Sequence, residues 1–377
     1  MSKVISAGHI CLDITPVFPS GKSYAQVSDL LVPGKLIQMD AASVHTGGSV
    51  ANTGLALKLL GNDVTLLGKV GNDAFGGIVR SILLDYGVGG LIVDENSSTS
   101  YSVVLAMPGI DRIFLHNPGA NDTFTADDIP EESLRDAVLF HFGYPTLMRN
   151  IYAENGRELR DIFRRVKAQD IATSLDLAAV DTDSPAGKAD WSGILASVLP
   201  DVDFFAPSFE ELCFILDRPC YHERMAQGGD MTWQASILED ADRLAEMCLN
   251  MGCGFVLVKC GLSGMVYRAG SRERLSRMGS RLNLDIENWA DKKGVQSCFQ
   301  AEIVRSGTGA GDVSIAAFLT ALMQGETPEV CTQLAAAEGA ASVTSYDALG
   351  GILPIEELKR RINAGWKTME EQYCSSI

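Results

Sequence analysis

The chain has 377 residues, enough for one large domain or two ordinary ones. With 46% hydrophobic and 21% charged residues it can bury a sizeable core, and a net charge of −17 argues against nucleic acid or an anionic membrane as a partner. No apolar run approaches the roughly 20 residues that span a bilayer, and nine cysteines without a Cys-x-x-Cys pair point to reduced thiols in a cytoplasmic protein.

In chain order, the apolar run at 4–7 predicts a buried strand. Asp13 follows it. A carboxylate at the carboxyl end of a parallel strand is placed to accept bonds from two sugar hydroxyls, while a turn-forming Asp ahead of Pro16 is the other reading. Residues 14–46 hold three prolines and little helical periodicity. Within them Gly21-Lys22-Ser23 looks like the end of a P-loop. Pro16 stands where that motif needs its first glycine and Pro19 removes an amide, so the reading is set aside.

Gly47-Gly48-Ser49-Val50-Ala51-Asn52 leads into a helix predicted over 50–60 and stopped at Gly61. Paired glycines permit a tight turn, and Asn52 then faces whatever approaches the helix start, or is an ordinary helical Asn. A strand at 64–67 and a helix at 74–86 come next. Residues 99–106 and 112–116 flank Pro108-Gly109 and read as a β-hairpin within 91–125. Together with 14–46 it is expected to form a small β-sheet lid over a cleft. Strand and helix signals then alternate at 137–142, 157–168, 171–175, 194–199, 204–206, 235–250, 255–258 and 334–343.

This alternation predicts an α/β fold, a doubly wound and mostly parallel sheet with helices on both faces. The chain 1–377 is read as one such domain with the lid inserted in it, and 217–235 and 268–300 as polar insertions. Ser208 and Glu211 follow the 204–206 strand with capping-box spacing, which also sets Glu211 near a phosphate-bound Mg²⁺ or its waters. Lys259-Cys260-Gly261-Leu262-Ser263-Gly264 reads as a strand-end turn, of a kind that passes close to nucleotide phosphates or ribose. His45 and His116 fall in the lid, where solvated or core roles compete with substrate contact.

The most informative stretch is Ser306-Gly307-Thr308-Gly309-Ala310-Gly311-Asp312, which opens an apolar helix. The first amides of a helix lack internal partners and sit at the positive end of its dipole, so such a start attracts phosphate. Glycine at 309 and 311 lets phosphate approach the backbone. Asp312 would repel that phosphate unless it has chemical work to do. An anion cradle with an adjacent base is the minimum for moving a phosphoryl group onto a hydroxyl.

Taken together, these residues resemble the ribokinase-like, or PfkB, family of carbohydrate kinases. The order matches over nearly the whole chain: Asp13, Gly47-Gly48-x-x-x-Asn52, the Leu67–Gly76 segment, the hairpin ending in Gly119-Ala120-Asn121, then Glu211, Gly261-x-x-Gly264 and Thr308-Gly309-Ala310-Gly311-Asp312. The resemblance implies that Asp312 is the general base and that the amides of Gly309, Ala310, Gly311 and Asp312 form the anion hole. It further implies that Asp13, Gly47, Gly48, Asn52 and Asn121 bind the sugar. Ser208, Lys259, Gly261, Gly264, Thr308, Gly309 and Gly311 would meet the nucleotide, with Glu211 organising Mg²⁺ through water. ATP is the implied donor, and a homodimer through the lid is implied by relatives.

The sequence departs from the family pattern in places. Ser306 replaces the usual acid, Ser208 the usual Asn, and Ser345 and Asp347 stand where many relatives have Arg and Gly, which leaves K⁺ as a cofactor open. The expected activity is phosphorylation of a hydroxyl on a small carbohydrate. A nucleoside kinase of the same fold and a non-catalytic sugar-binding regulatory protein are the alternatives.

Overall fold

The computed structural model describes residues 3–19, 21, 24, 26–108, 112–228, 231–234 and 236–369. Lys22 and Ser23 of the P-loop lookalike, Gly109 of the hairpin turn and Cys374 lie outside the described residues. The strands are β1 (Lys3–Gly8), β2 (Cys11–Val17), β3 (Asp40–Gly47), β4 (Asp63–Leu67), β5 (Lys69–Gly71), β6 (Ile92–Asp94), β7 (Tyr101–Leu105), β8 (Ile113–Asn117), β9 (Ala137–Gly143), β10 (Ala172–Asp176), β11 (Phe204–Phe205), β12 (Phe255–Lys259), β13 (Met265–Ala269) and β14 (Lys293–Gln296). Eight of them form one sheet in the order β14-β13-β12-β11-β10-β9-β1-β4. Pairing is parallel from β4 to β12, and β13 and β14 add an antiparallel edge.

The helices are α1 (Ser49–Leu59), α2 (Ala74–Asp85), α3 (Glu131–Leu134), α4 (Arg149–Lys167), α5 (Pro185–Lys188), α6 (Trp191–Val198), α7 (Phe209–Leu216), α8 (Arg218–Gln227), α9 (Ile237–Asn250), α10 (Arg272–Leu275), α11 (Ile286–Trp289), α12 (Ala310–Met323), α13 (Pro328–Ser342) and α14 (Ile355–Asn363). Helices cover both sheet faces, so the central strands are apolar on both sides. Val4, Leu139 and Phe255 point into a core shared with α1, α12 and α13. Their neighbours Ile5, Phe140 and Val256 point into a second core shared with α4, α6, α7 and α9. The expected doubly wound architecture is therefore present, and its two-residue alternation separates the two cores.

A separate four-stranded sheet, β3-β2-β7-β8, forms the lid, with β7 and β8 as the expected hairpin. The lid begins earlier than residue 14, because β2 starts at Cys11 and pairs it with Gly47. The two polar insertions also carry regular structure. Residues 217–235 contain α8, and 268–300 contain α10, α11 and the edge strand β14. Helix α4 runs as two stretches across a non-helical kink at Ala153, Glu154, Asn155 and Gly156, the last three left-handed; the second stretch starts at Arg157 as expected, and 149–152 form a short stretch before the kink that periodicity did not show.

Candidate active site

The start of α12 lies at the centre of the site. Gly309 has φ +74°, and a Cβ there would stand 2.3 Å from the Ala348 Cβ, so both conformation and space require glycine. Behind it, the amides of Gly311 and Asp312 fall in a first turn that has no carbonyl four residues back within the helix. They meet the positive end of the α12 dipole, as an anion site requires.

Asp312, also in that turn, is 3% exposed. Its Oδ2 accepts hydrogen bonds from Asn52 Nδ2 at 3.0 Å and the Tyr144 hydroxyl at 2.7 Å, and its Oδ1 accepts from the Thr53 hydroxyl at 3.1 Å. Burial pushes the Asp312 carboxyl above its ordinary value, while these bonds and the Lys259 ammonium pull it back. A carboxyl held this way is a stronger base than a surface aspartate. Asn52 and Thr53 reach it because α1 starts behind Gly48, whose φ is +84°. A Cβ at 48 would lie 2.6 Å from the His9 carbonyl oxygen, so only glycine permits this turn.

Asp13 sits inside β2, one strand of the lid, and not in a turn after β1. It lies against Gly47, which leaves no room there for a side chain. Its carboxylate accepts from the Cys11 thiol at 3.3 Å and from the Ser102 hydroxyl. Ser102 Oγ is 3.0 Å from His116 Nδ1, and His116 Nε2 is 3.3 Å from His9 Nε2. Burial pulls both imidazoles below their ordinary value, so the pair is neutral at pH 7. His116 thus joins the network behind Asp13, whereas His45 is exposed and bonds Ser43 at 2.5 Å.

Asn121 does not face the cleft. Its Oδ1 accepts the Ile10 amide at 3.1 Å, and its Nδ2 donates to the carbonyls of Ile10 at 2.9 Å and Pro118 at 3.0 Å. The side chain is fully buried with its amide committed to backbone. That geometry corrects the sugar-contact expectation, and Asn121 instead pins the loop between β1 and β2.

On the other side of α12, the capping box is present. Glu211 Oε2 accepts the Ser208 amide at 2.7 Å, and Ser208 Oγ accepts the Glu211 amide at 3.2 Å. Ser208 bridges to Lys259 at the end of β12, whose Nζ donates to Asp176 Oδ1 at 2.7 Å. Burial works against the Lys259 ammonium, but Asp176 and Glu211 outweigh it and hold Lys259 charged. Burial pushes the Asp176 carboxyl up and Lys259 pulls it back. At 2.7 Å the two satisfy each other as an ion pair. Lys259 Nζ also lies 3.5 Å from where a Gly311 Cβ would be, so the ammonium borders the cradle.

Glu211, Asp176 and Asp312 supply the hard oxygen donors that Mg²⁺ prefers. Among the described residues no three acidic, His or Cys side chains converge to hold a metal alone. This donor set fits an ion held mainly by phosphate and water, with Glu211 behind it. The turn after β12, Gly261–Ser263, and Gly264 close this side. On the lid side Arg112 donates to Thr308 Oγ1, which also accepts the Ser306 hydroxyl at 3.0 Å. Ser306, in place of an acid, therefore braces the loop by accepting the Thr308 amide at 3.1 Å. Tyr101 and Tyr24 pack edge-on against Phe75 and Phe18, at 5.6 and 5.8 Å, which gives them packing roles rather than open stacking faces.

Four site residues escaped the sequence reading: Thr53, Tyr144, Asp176 and Arg112. Tyr144 and Asp176 immediately follow, or end, β9 and β10. The rule that ligands gather beyond the carboxyl ends of parallel strands would have flagged both. Thr53 and Arg112 carry no such signal, since one follows an already selected Asn and the other reaches its partner only through lid folding.

A buried carboxylate at a helix start, an ammonium beside it and a small β-sheet packed near them are features of a phosphoryl-transfer protein class. The model of the pfkB family carbohydrate kinases matches residues 2–355, and the chain belongs to that family. It is 31% identical to fructokinase-1 of Zea mays over 149 residues, 38% of this chain, and the match spans only 42% of that relative's length. It is 25% identical to an uncharacterized sugar kinase of Archaeoglobus fulgidus across 79% of this chain and 98% of the relative. Among solved structures, Arabidopsis thaliana ribokinase complexed with ribose and ATP superposes with a TM-score of 0.67 at 21% identity, covering 96% of this chain and 98% of its own. Xylella fastidiosa fructokinase with bound ATP gives 0.69 at 19%, covering 97% and 99%. These likenesses carry the fold.

Proposed function

We propose that this chain transfers the γ-phosphoryl group of ATP to a hydroxyl of a small carbohydrate, with Asp312 as general base. The observation that carries the reading is the buried Asp312 carboxylate, oriented by Asn52, Thr53 and Tyr144 in the first turn of the α12 anion site. In this reading Asp13, backed by Cys11 and Ser102, and Gly47 and Gly48 hold the acceptor, and Asn52 serves both acceptor and base. Asp312 takes the hydroxyl proton while the amides of Gly309 to Asp312 and Lys259 receive the charge of the transferring group. Mg²⁺, when bound, would supply charge neutralisation for the phosphates, and Glu211 would hold its waters. Ser208, Gly261, Gly264 and Thr308 line the nucleotide side. The proposal contains no monovalent cation.

Incubation with MgATP and a panel of hexoses, pentoses, ketoses, sugar acids and nucleosides tests it. The expected result is acceptor-dependent ADP formation with at least one carbohydrate. Silence across the panel with retained sugar binding would favour the regulatory alternative, and turnover of nucleosides alone would favour the nucleoside kinase.

The acceptor side also bears on assembly. One face of the lid exposes Val44 and Leu115, which lie in one row across the sheet through Ile14 and Val103, an apolar patch that a second lid would cover. We infer a homodimer through this face. Sedimentation is expected to show a dimer at micromolar concentration and a monomer for Val44→Glu combined with Leu115→Glu; a wild-type monomer would refute it. No described helix is long and apolar enough to cross a membrane.

A further inference from the structure

Behind Asp312 lies a row of buried polar groups that the proposed chemistry does not use. His141 on β9 stands between Ser49, at the start of α1, and Ser174, its partner across the ladder on β10. Its Nε2 is 3.2 Å from Ser49 Oγ, and its Nδ1 is 3.0 Å from Ser174 Oγ. Gly143 makes room for this contact, because a Cβ there would collide with Ser49 Oγ. One helical turn along α1, Thr53 Oγ1 lies 3.5 Å from Ser49 Oγ and donates to Asp312 Oδ1 at 3.1 Å. Ser174, His141, Ser49 and Thr53 therefore reach from the middle of the sheet to the carboxylate, and all four are fully buried.

Proton counting gives the row a direction. A carboxylate only accepts, so the single hydroxyl proton of Thr53 is spent on Asp312. Thr53 then meets Ser49 as an acceptor, which spends the Ser49 proton. Ser49 in turn meets His141 as an acceptor, so the proton between them belongs to Nε2. Burial, and after it the Lys259 ammonium, hold the imidazole down at about 3, so the ring is neutral and carries one proton. With that proton on Nε2, Nδ1 is bare and accepts the Ser174 hydroxyl. Every proton in the row points toward Asp312.

We propose that His141 is a positioning residue, whose Nε2–H tautomer fixes Ser49 and Thr53 so that the Thr53 hydroxyl orients the Asp312 carboxylate. The orientation matters at one oxygen. Asp312 Oδ2 accepts from both Asn52 and Tyr144, which occupies its two lone pairs, whereas Oδ1 accepts from Thr53 alone. Oδ1 therefore keeps the lone pair that takes the acceptor's proton, and Thr53 sets where it points. This last step rests on the proposed role of Asp312 as general base; the direction of the row does not.

The test labels the histidines of the full chain isotopically and reads by heteronuclear NMR which ring nitrogen carries the proton, with His141 assigned by its absence from His141→Gln. Wild type is expected to hold the His141 proton on Nε2. In Asp312→Asn the remaining oxygen is claimed by Asn52 and Tyr144, so the new NH₂ donates to Thr53. Thr53 then donates to Ser49 and Ser49 to Nε2, and the ring proton is expected to move to Nδ1, toward Ser174. Thr53→Val breaks the row, and in that background Asp312→Asn is expected to leave the His141 tautomer unmoved. A wild-type ring protonated on Nδ1, a ring unchanged by Asp312→Asn, or a change that survives Thr53→Val would overturn the row. With a turned-over acceptor in hand, His141→Phe is expected to lower kcat about three- to tenfold at near-constant KM, the worth of one hydrogen bond. His141→Gln, whose NH₂ still reaches Ser49, is expected to recover most of the loss. Unmoved kcat in His141→Phe, or equal losses in both, would overturn the positioning role, and the tautomer measurement decides the row even where His141→Phe does not fold. If no acceptor is phosphorylated, the kinase reading fails while the tautomer still tests the row.

Discussion

Asp312→Asn is expected to lower turnover by about 10² to 10⁴-fold, the usual worth of a positioned general base, while acceptor binding changes little. The carboxylate is the acceptor of three hydrogen bonds, from Asn52, Thr53 and Tyr144. An amide at 312 retains one accepting oxygen and turns its NH₂ toward one of those donors, so the variant loses both the basic atom and part of its orientation. Isothermal binding of the acceptor found in the panel, beside steady-state rates, separates the two effects. A variant that kept wild-type turnover would refute the base assignment, and one that lost binding and turnover together would make Asp312 a binding residue. Tyr144→Phe supplies a graded companion. The Tyr144 bond favours the charged carboxylate, so its removal raises the Asp312 carboxyl further. The acidic limb of kcat should therefore move to higher pH, a displacement that a purely steric role for Tyr144 would not produce.

The order of elements was readable because β/α alternation writes itself in two periods. Runs such as Phe255–Val258 are apolar on both faces, and helices such as Ala74–Asp85 end at a glycine. Motif residues near helix starts were also readable, since Gly48, Gly309 and Ser208 announce where a chain turns into a helix. What stayed hidden depended on tertiary pairing. Asp13 looked like a residue after the first strand, with a turn as the alternative, because the second strand that holds it pairs with residues about 30 positions away. Asn121 looked like a sugar ligand because nothing local shows that Ile10 consumes its amide on both sides. Residues 217–235 read only as a polar insertion, yet the cap at Asp217 and packing on α7 make a helix within it.

The neutral histidine pair has a similar lesson for the acceptor end. Asp13 is joined to Ser102, His116 and His9 in a row that carries no positive charge, because burial keeps both imidazoles unprotonated. The site's cations, Lys259 and the lid's Arg112, instead stand by the cradle and the loop that leads into it. This division suits an acceptor recognised by hydroxyl hydrogen bonds and a donor recognised by phosphate charge.

The loop that backs the cradle is anchored at its far end by a buried acid, and this yields the second large effect. Glu338 on α13 is fully buried, and both its carboxyl oxygens accept the Leu353 amide, at 3.0 and 3.3 Å. Between them in sequence lies Ala348, the residue packed against Gly309. Burial raises the Glu338 carboxyl to about 8, against the pull of the Leu353 bond. Unfolded, the group returns to an ordinary value near 4.5. From there to about 8 the folded chain keeps a proton that the unfolded chain releases. The stabilisation is complete below the lower value and is lost as pH rises through the upper one, at about 1.4 kcal/mol per pH unit. Glu338→Gln removes the titration while keeping an oxygen for the Leu353 amide. Urea unfolding at pH 5, 6.5 and 8.5 should show the variant equal to or below wild type at the acid end and more stable by about 3–5 kcal/mol at the alkaline end. Parallel stability curves would show that Glu338 is ionised in the folded chain and that a bonded carboxylate, not a carboxylic acid, anchors the loop behind Gly309.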